Sequence, residues 1–179
     1  MKSSNYVIPA IIGIVFYWLI TLLLLVVTVN QNDGNLIYDL DDPYIHMAIA
    51  KNVVNHGVWG INSDQFTSSS SSPLWTSLLT GFYFIFGSKN AIPLLMNIFF
   101  GTASLLMITH YLNKYGVGRL SSSIFMIILV LVAPFTFLTF TGMEHLMHIF
   151  FSVWFIFVAM ENLTGNRTIS RDILLLALS

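Results

Sequence analysis

The stretch Leu74-Trp75-Thr76-Ser77-Leu78-Leu79-Thr80-Gly81-Phe82-Tyr83-Phe84-Ile85-Phe86 decides how this chain is arranged. It is uncharged and mostly apolar, yet only 13 residues long. As a helix it covers about 20 Å, against about 30 Å of bilayer hydrocarbon. That length suits an interfacial or re-entrant segment and falls short of a crossing. The charges on either side lead to the same reading. Residues 31–73 carry Asp33, Asp39, Asp41, Asp42 and Asp64 against the single cation Lys51, so this loop is expected to face outward. Lys114 and Arg119 mark the next polar loop as inward-facing. Between the two there must be an odd number of crossings, and two apolar runs are available, 74–86 and 91–112. The shorter one therefore lies along the outer surface, leaving Lys89 outside as well.

Working outward, residues 7–29 form an uncharged run of 23 residues, about 34 Å as a helix. Such a run is longer than the hydrophobic core of a secretory signal and has no small-residue cleavage site after it. It reads as an uncleaved anchor with its N-terminus inside. Further spans are expected at 91–112, 121–141 and 146–163, with a fifth begun at 172–179 and cut short. Arg167 and Arg171 place the end of the fourth span inside, so the glycosylation patterns at Asn162 and Asn166 are discounted. The expected architecture is all-α and integral to the membrane. It is one N-terminal transmembrane module over 1–179, a multi-span helical bundle with an external loop at 30–90. That loop carries juxtamembrane helices at about 43–56 and 74–86, and the chain reads as part of a longer protein.

Composition agrees and narrows the function. Hydrophobic residues make up 56% of the chain and charged ones 8%, with mean hydropathy +0.79. A soluble domain carries about 25% charged residues. A net charge of −1 without a basic cluster excludes a nucleic-acid footprint. The absence of cysteine excludes a disulfide framework, a thiolate metal site and a cysteine nucleophile.

The external loop holds the chemistry. Tyr38-Asp39-Leu40-Asp41-Asp42-Pro43 opens a helix for which Asp42 is the expected N-cap and Pro43 the first residue. Ile45, Ala48, Ile49, Asn52 and Val53 give an apolar stripe opposite His46, Lys51 and Asn55, with Gly57 as the stop. Asp42 has capping as an alternative role, and Asp39 that of a solvated turn residue. Asp41 has neither excuse; adjacent carboxylates call for a cation or a proton-accepting role. Glu144 is the only charge between Arg119 and Glu161, at a span end, where an ionisable group suggests function. His145 follows it, and His148 lies one turn on. Trp59, Trp75 and Tyr83 suit interfacial anchors. The serine run 68–72 reads as a flexible linker.

Three pieces fall on one face: Asp41-Asp42-Pro43-Tyr44-Ile45, Ser71-Ser72-Pro73-Leu74-Trp75 and Thr141-Gly142-Met143-Glu144. Their order resembles the N-terminal part of GT-C glycosyltransferases, closest to the bacterial branch containing arabinofuranosyltransferases. The resemblance runs from Val7 to about Met160 and departs from the family in its long serine run. It implies a membrane glycosyltransferase of the bacterial plasma membrane, working outward on cell-envelope glycan. The expected reaction moves a sugar, with inversion, from a polyprenyl-phosphate donor to a hydroxyl of a glycan, lipid or protein acceptor. It also implies catalytic roles for Asp41, Asp42 and Glu144, and substrate binding by Tyr44, His46, Lys51, Trp75 and His145. A divalent metal, Mg or Mn, held by Asp41 and Glu144 is a further implication. Two other classes remain open on sequence: a non-catalytic scaffold or truncated homologue, and a cation- or proton-coupled transporter fragment. The transporter would place its carboxylates near the bilayer midplane on broken helices.

Overall fold

A computed structural model describes residues 7–163. All regular structure among them is helical: α1 (Val7–Gln31), α2 (Asp42–His56), α3 (Pro73–Phe86), α4 (Ala91–Lys114), α5 (Arg119–Val132), α6 (Phe135–Phe140) and α7 (His145–Leu163). Three helices, α1, α4 and α7, are long and apolar enough to cross a membrane. The expected fifth span at 172–179 lies outside the described residues.

Local chemistry sets most of the boundaries. Pro43 stands in the first turn of α2, where its missing N–H costs nothing. Gly57 closes that helix in the left-handed conformation at φ 69°, its N–H reaching the Val53 carbonyl at 3.0 Å. Pro73 opens α3 in the same manner. The expected span 121–141 is instead two helices, α5 and α6, broken at Ala133-Pro134. Pro134 has no N–H to offer the Val130 carbonyl, and its ring clashes with a continuing helix. The chain therefore steps aside and restarts at Phe135. The expected cap is also shifted: Asp41 holds the N-cap position of α2, Asp42 lies within its first turn, and no side-chain cap hydrogen bond forms.

Side-chain pairs give the directions of packing. Tyr17 of α1 meets Gly101 of α4, and Trp18 Nε1 donates to Thr102 Oγ1 at 2.9 Å. Tyr17 also bonds Thr139 of α6 at 2.7 Å. The Thr139 hydroxyl proton is already committed to the Phe135 carbonyl, so Tyr17 is the donor. Asn97 of α4 donates to the Thr139 carbonyl near one end of the bundle. Towards the other end, Tyr111 stacks on Phe157 at 3.6 Å, and Lys114 pairs with Glu161. Helices α4 and α7 therefore run parallel.

Two apolar clusters fill the interior. One joins Tyr17, Leu105, Met126, Val130, Phe135 and Leu146 among α1, α4, α5, α6 and α7. The other seats α2 and α3 on α4 through Met47, Trp75, Leu79, Tyr83, Ile92 and Met96. Phe100 packs against both. Trp75 and Tyr83, expected as interfacial anchors, are core residues here, because α2 covers the face of α3 that carries them.

At Gly101 the Tyr17 ring of α1 lies directly on the backbone of α4. A Cβ there would stand 2.5 Å from Tyr17 Oη and 2.9 Å from Cζ. Gly101→Val is expected to cost about 1–3 kcal/mol by overpacking. Thermal unfolding in detergent checks this, and Tyr17→Phe in the same chain should recover part of the loss by removing the clashing oxygen.

Candidate functional site

The turn before α7 is seated directly on the loop that joins α1 to α2. Gly142 adopts φ 67°, and a Cβ on it would lie 2.8 Å from Tyr38 Cδ1 and 3.0 Å from Pro43 Cβ. Only glycine meets both demands, the left-handed backbone and the missing side chain. Tyr38 is fixed in turn from three sides. Its hydroxyl donates to the Asn90 carbonyl at 2.6 Å and accepts from the Leu94 N–H at 3.1 Å. Its own N–H donates to Tyr44 Oη at 2.9 Å. Burial pushes the Tyr38 phenol well above its ordinary range, so it stays protonated and able to donate. One tyrosine thus joins the α1–α2 loop, the head of α4 and the turn that carries Glu144.

The candidate residues differ in how they are held. Asp39, Asp41, Asp42, Tyr44 and Lys51 are exposed, and Asp41 and Asp42 stand side by side at the head of α2. Glu144 is only 8% exposed, and its Oε2 has no hydrogen-bond partner. Its carbonyl accepts the His148 N–H at 2.9 Å, the first helical bond of α7. His145 is half-buried and His148 exposed. Trp75 has no exposed surface, so any effect it has on a ligand passes through the packing of α3.

His46 was expected on the polar face of α2; it is buried. The inward face of that helix carries Pro43, His46, Met47, Ile49 and Ala50. What makes a buried imidazole tolerable is a set of hydroxyls from the serine run and α3. Nδ1 lies 2.7 Å from Thr76 Oγ1 and 3.4 Å from Ser70 Oγ, and Nε2 lies 3.4 Å from Ser71 Oγ. The run 68–72 is therefore not a linker but a fitted strap over the histidine, with Ser72 itself buried. Desolvation holds the imidazole below its ordinary value of 6.5, against the opposing pull of the Glu144 and Asp42 carboxylates. That pull also shows that both carboxylates lie within electrostatic reach of one ring.

Beside this acidic end an apolar groove of about 630 Å³ runs between α3 and α4. Leu78, Phe82 and Phe86 form one wall, Leu95 and Phe99 the other, and Lys89 stands in the lining. Lys89 immediately precedes Asn90, which is tied to Tyr38, so the cation belongs to the same end of the bundle as the carboxylates.

Among the described residues, no group of three or more His, Asp or Glu side chains could hold a metal ion. No step below depends on a bound cation. No family model, curated protein or solved structure matches the chain.

Sequence reasoning overlooked Tyr38, Thr76 and Ser70 as site residues. A serine run placed near a helix bearing a histidine in its first turns was the available signal.

Two outcomes follow from this geometry. Gly142→Ala should lower stability by about 1–3 kcal/mol, through strain and the clash with Tyr38, in denaturant or thermal unfolding. Because the folded state holds His46 below 6.5, the unfolded chain takes up the proton first as pH falls. Stability should be full above about 6.5 and decline below it, and His46→Gln should flatten that decline in melting curves across pH.

Proposed function

We propose that this chain is the N-terminal portion of a GT-C-type glycosyltransferase. In this reading it is a multi-pass protein of the bacterial plasma membrane. It transfers a sugar from a polyprenyl-phosphate donor to an acceptor hydroxyl at the outer face, with inversion. The observation that carries the reading is Gly142 seated on Tyr38 and Pro43. That contact brings the turn bearing Glu144 onto the segment bearing Asp41 and Asp42, although about 100 positions separate them. The apolar groove with Lys89 in its lining, on the same end, supports a lipid-linked anionic donor. A polyprenyl tail suits walls of Leu and Phe, and a phosphate at headgroup level suits a lysine.

The topology fits the same account. With α1, α4 and α7 crossing and α5–α6 making the remaining passage, α3 lies along the outer surface, joining α2. The exposed apolar side chains of α1, Leu22, Leu23 and Val26 among them, then face lipid. A transporter would keep its carboxylates in mid-bundle. Here Glu144 and Glu161 both stand near helix ends, and Glu161 pairs with Lys114.

In the proposed reaction Asp41 accepts the proton of the incoming acceptor hydroxyl. The acceptor oxygen bonds the anomeric carbon from the face opposite the phosphate, the carbon–phosphate-oxygen bond breaks, and polyprenyl phosphate departs. Lys89, with Lys51 on α2, supplies positive charge for the departing phosphate. Glu144, with one oxygen free of any partner, accepts a hydrogen bond from a substrate hydroxyl and so orients it. Asp42 lends negative charge beside the base. Tyr44 and His145 flank the carboxylates in positions to contact sugar.

The test is transfer of labelled sugar from a polyprenyl-phosphate donor by the full-length protein in membranes. Asp41→Asn is expected to lower the rate by about 100-fold or more, and Glu144→Gln to raise KM for the acceptor more than it lowers kcat. Full activity in Asp41→Asn would overturn the assignment of the base.

A further inference from the structure

The hydroxyls around His46 allow a ring with a free lone pair on Nε2. Thr76 Oγ1 lies 3.1 Å from the Ser72 carbonyl, 2.7 Å from His46 Nδ1 and 2.8 Å from Ser70 Oγ. With the Thr76 hydrogen on the carbonyl, Nδ1–H donates to Thr76 Oγ1, and Nε2 of the neutral imidazole is bare, with a lone pair to offer. The group beside that lone pair is the Ser71 hydroxyl, at 3.4 Å, and Ser71 is exposed. A hydroxyl, a base within reach of it and a third group orienting the base are the elements of nucleophile activation.

We propose that Ser71 and His46 form a second reactive centre, in which Nε2 takes the Ser71 proton and Ser71 Oγ attacks a lipid-soluble acyl ester. The proposal does not rest on the sugar-transfer reading, although Glu144 and Asp42 take part in both. The remaining requirements are met nearby. The ring is neutral at neutral pH because burial opposes its charging, and the Glu144 and Asp42 carboxylates stabilise the imidazolium that forms when the proton arrives. Asp42 acts from the helix of His46 itself, Glu144 from the turn before α7, and the strap and α3 present only the hydroxyls of Ser70, Ser71 and Thr76. Helix α3 begins two residues after Ser71, which puts its positive amino-terminal end close to the hydroxyl. Leu74, in the first turn of α3, is 46% exposed and favours an apolar ester over a soluble one.

The steps balance. Ser71 loses its proton to His46 Nε2 as the Oγ–acyl bond forms. The ester's carbon–alkoxy bond breaks, and the leaving alkoxide takes the proton back from Nε2. Water or an acceptor alcohol then removes the acyl group by the reverse sequence.

An alkyl fluorophosphonate reports this centre directly, because Oγ–P bond formation with loss of fluoride needs the same activated hydroxyl. The protein in detergent is exposed to the probe and the modified residue located by peptide mass spectrometry, with no sugar donor present. Labelling is expected on Ser71, absent in Ser71→Ala and about 100-fold slower in His46→Gln. Thr76→Val, which keeps the shape of the core but removes the acceptor for Nδ1–H, should slow it several-fold, and this variant decides the matter if His46→Gln loses its helical circular dichroism. Wild-type labelling no faster than Ser71→Ala, or a rate indifferent to both His46→Gln and Thr76→Val, would overturn the proposal.

Discussion

The contact on which the arrangement turns is the missing side chain of Gly142 against the Tyr38 ring and Pro43. A polar loop of some forty residues has no intrinsic reason to hold one position above a helical bundle; ordering it costs roughly 1–2 kcal/mol per residue in backbone entropy. Tyr38 offsets that cost locally by satisfying the Asn90 carbonyl and the Leu94 N–H while it covers the glycine. The other restraint is the α2–α3 pair, whose shared interior of Met47, Trp75, Leu79 and Tyr83 is apolar. Together they turn a long connection into a folded layer, and the carboxylates acquire fixed neighbours as a result.

Much of the helical plan was legible from length alone. The run 74–86 is the short helix α3, packed against α2; the runs beginning near Val7 and Ala91 became long apolar helices. Composition cannot report where a helix breaks within an apolar run, and Pro134 was overlooked because the residues around it are uncharged and mostly apolar. A proline's cost is geometric and leaves no mark on a hydropathy plot.

The candidate site was legible in part, and the reason is instructive at His46. Periodicity assigned it to the polar side of α2, since histidine counts as polar and Ile45 and Ala48 do not. The helix instead turns His46 inward because the opposing strap supplies hydroxyls at the right places. Such complementarity depends on residues 24 to 30 positions away, which no window on α2 alone could see. Glu144 was singled out for its isolation among apolar neighbours, and burial with an oxygen lacking any partner is the structural form of that anomaly.

The two ends of the α4–α7 pair are built from different materials. One holds a flat ring stack, Tyr111 on Phe157, beside the ion pair of Lys114 and Glu161. The other is held by apolar surface: Met96 and Met147 share a cluster, and the Phe100 ring lies against Phe150 and Phe151. Replacing Lys114 would thus take a charge pair from one extremity and leave the oily seam beside Glu144 as it is.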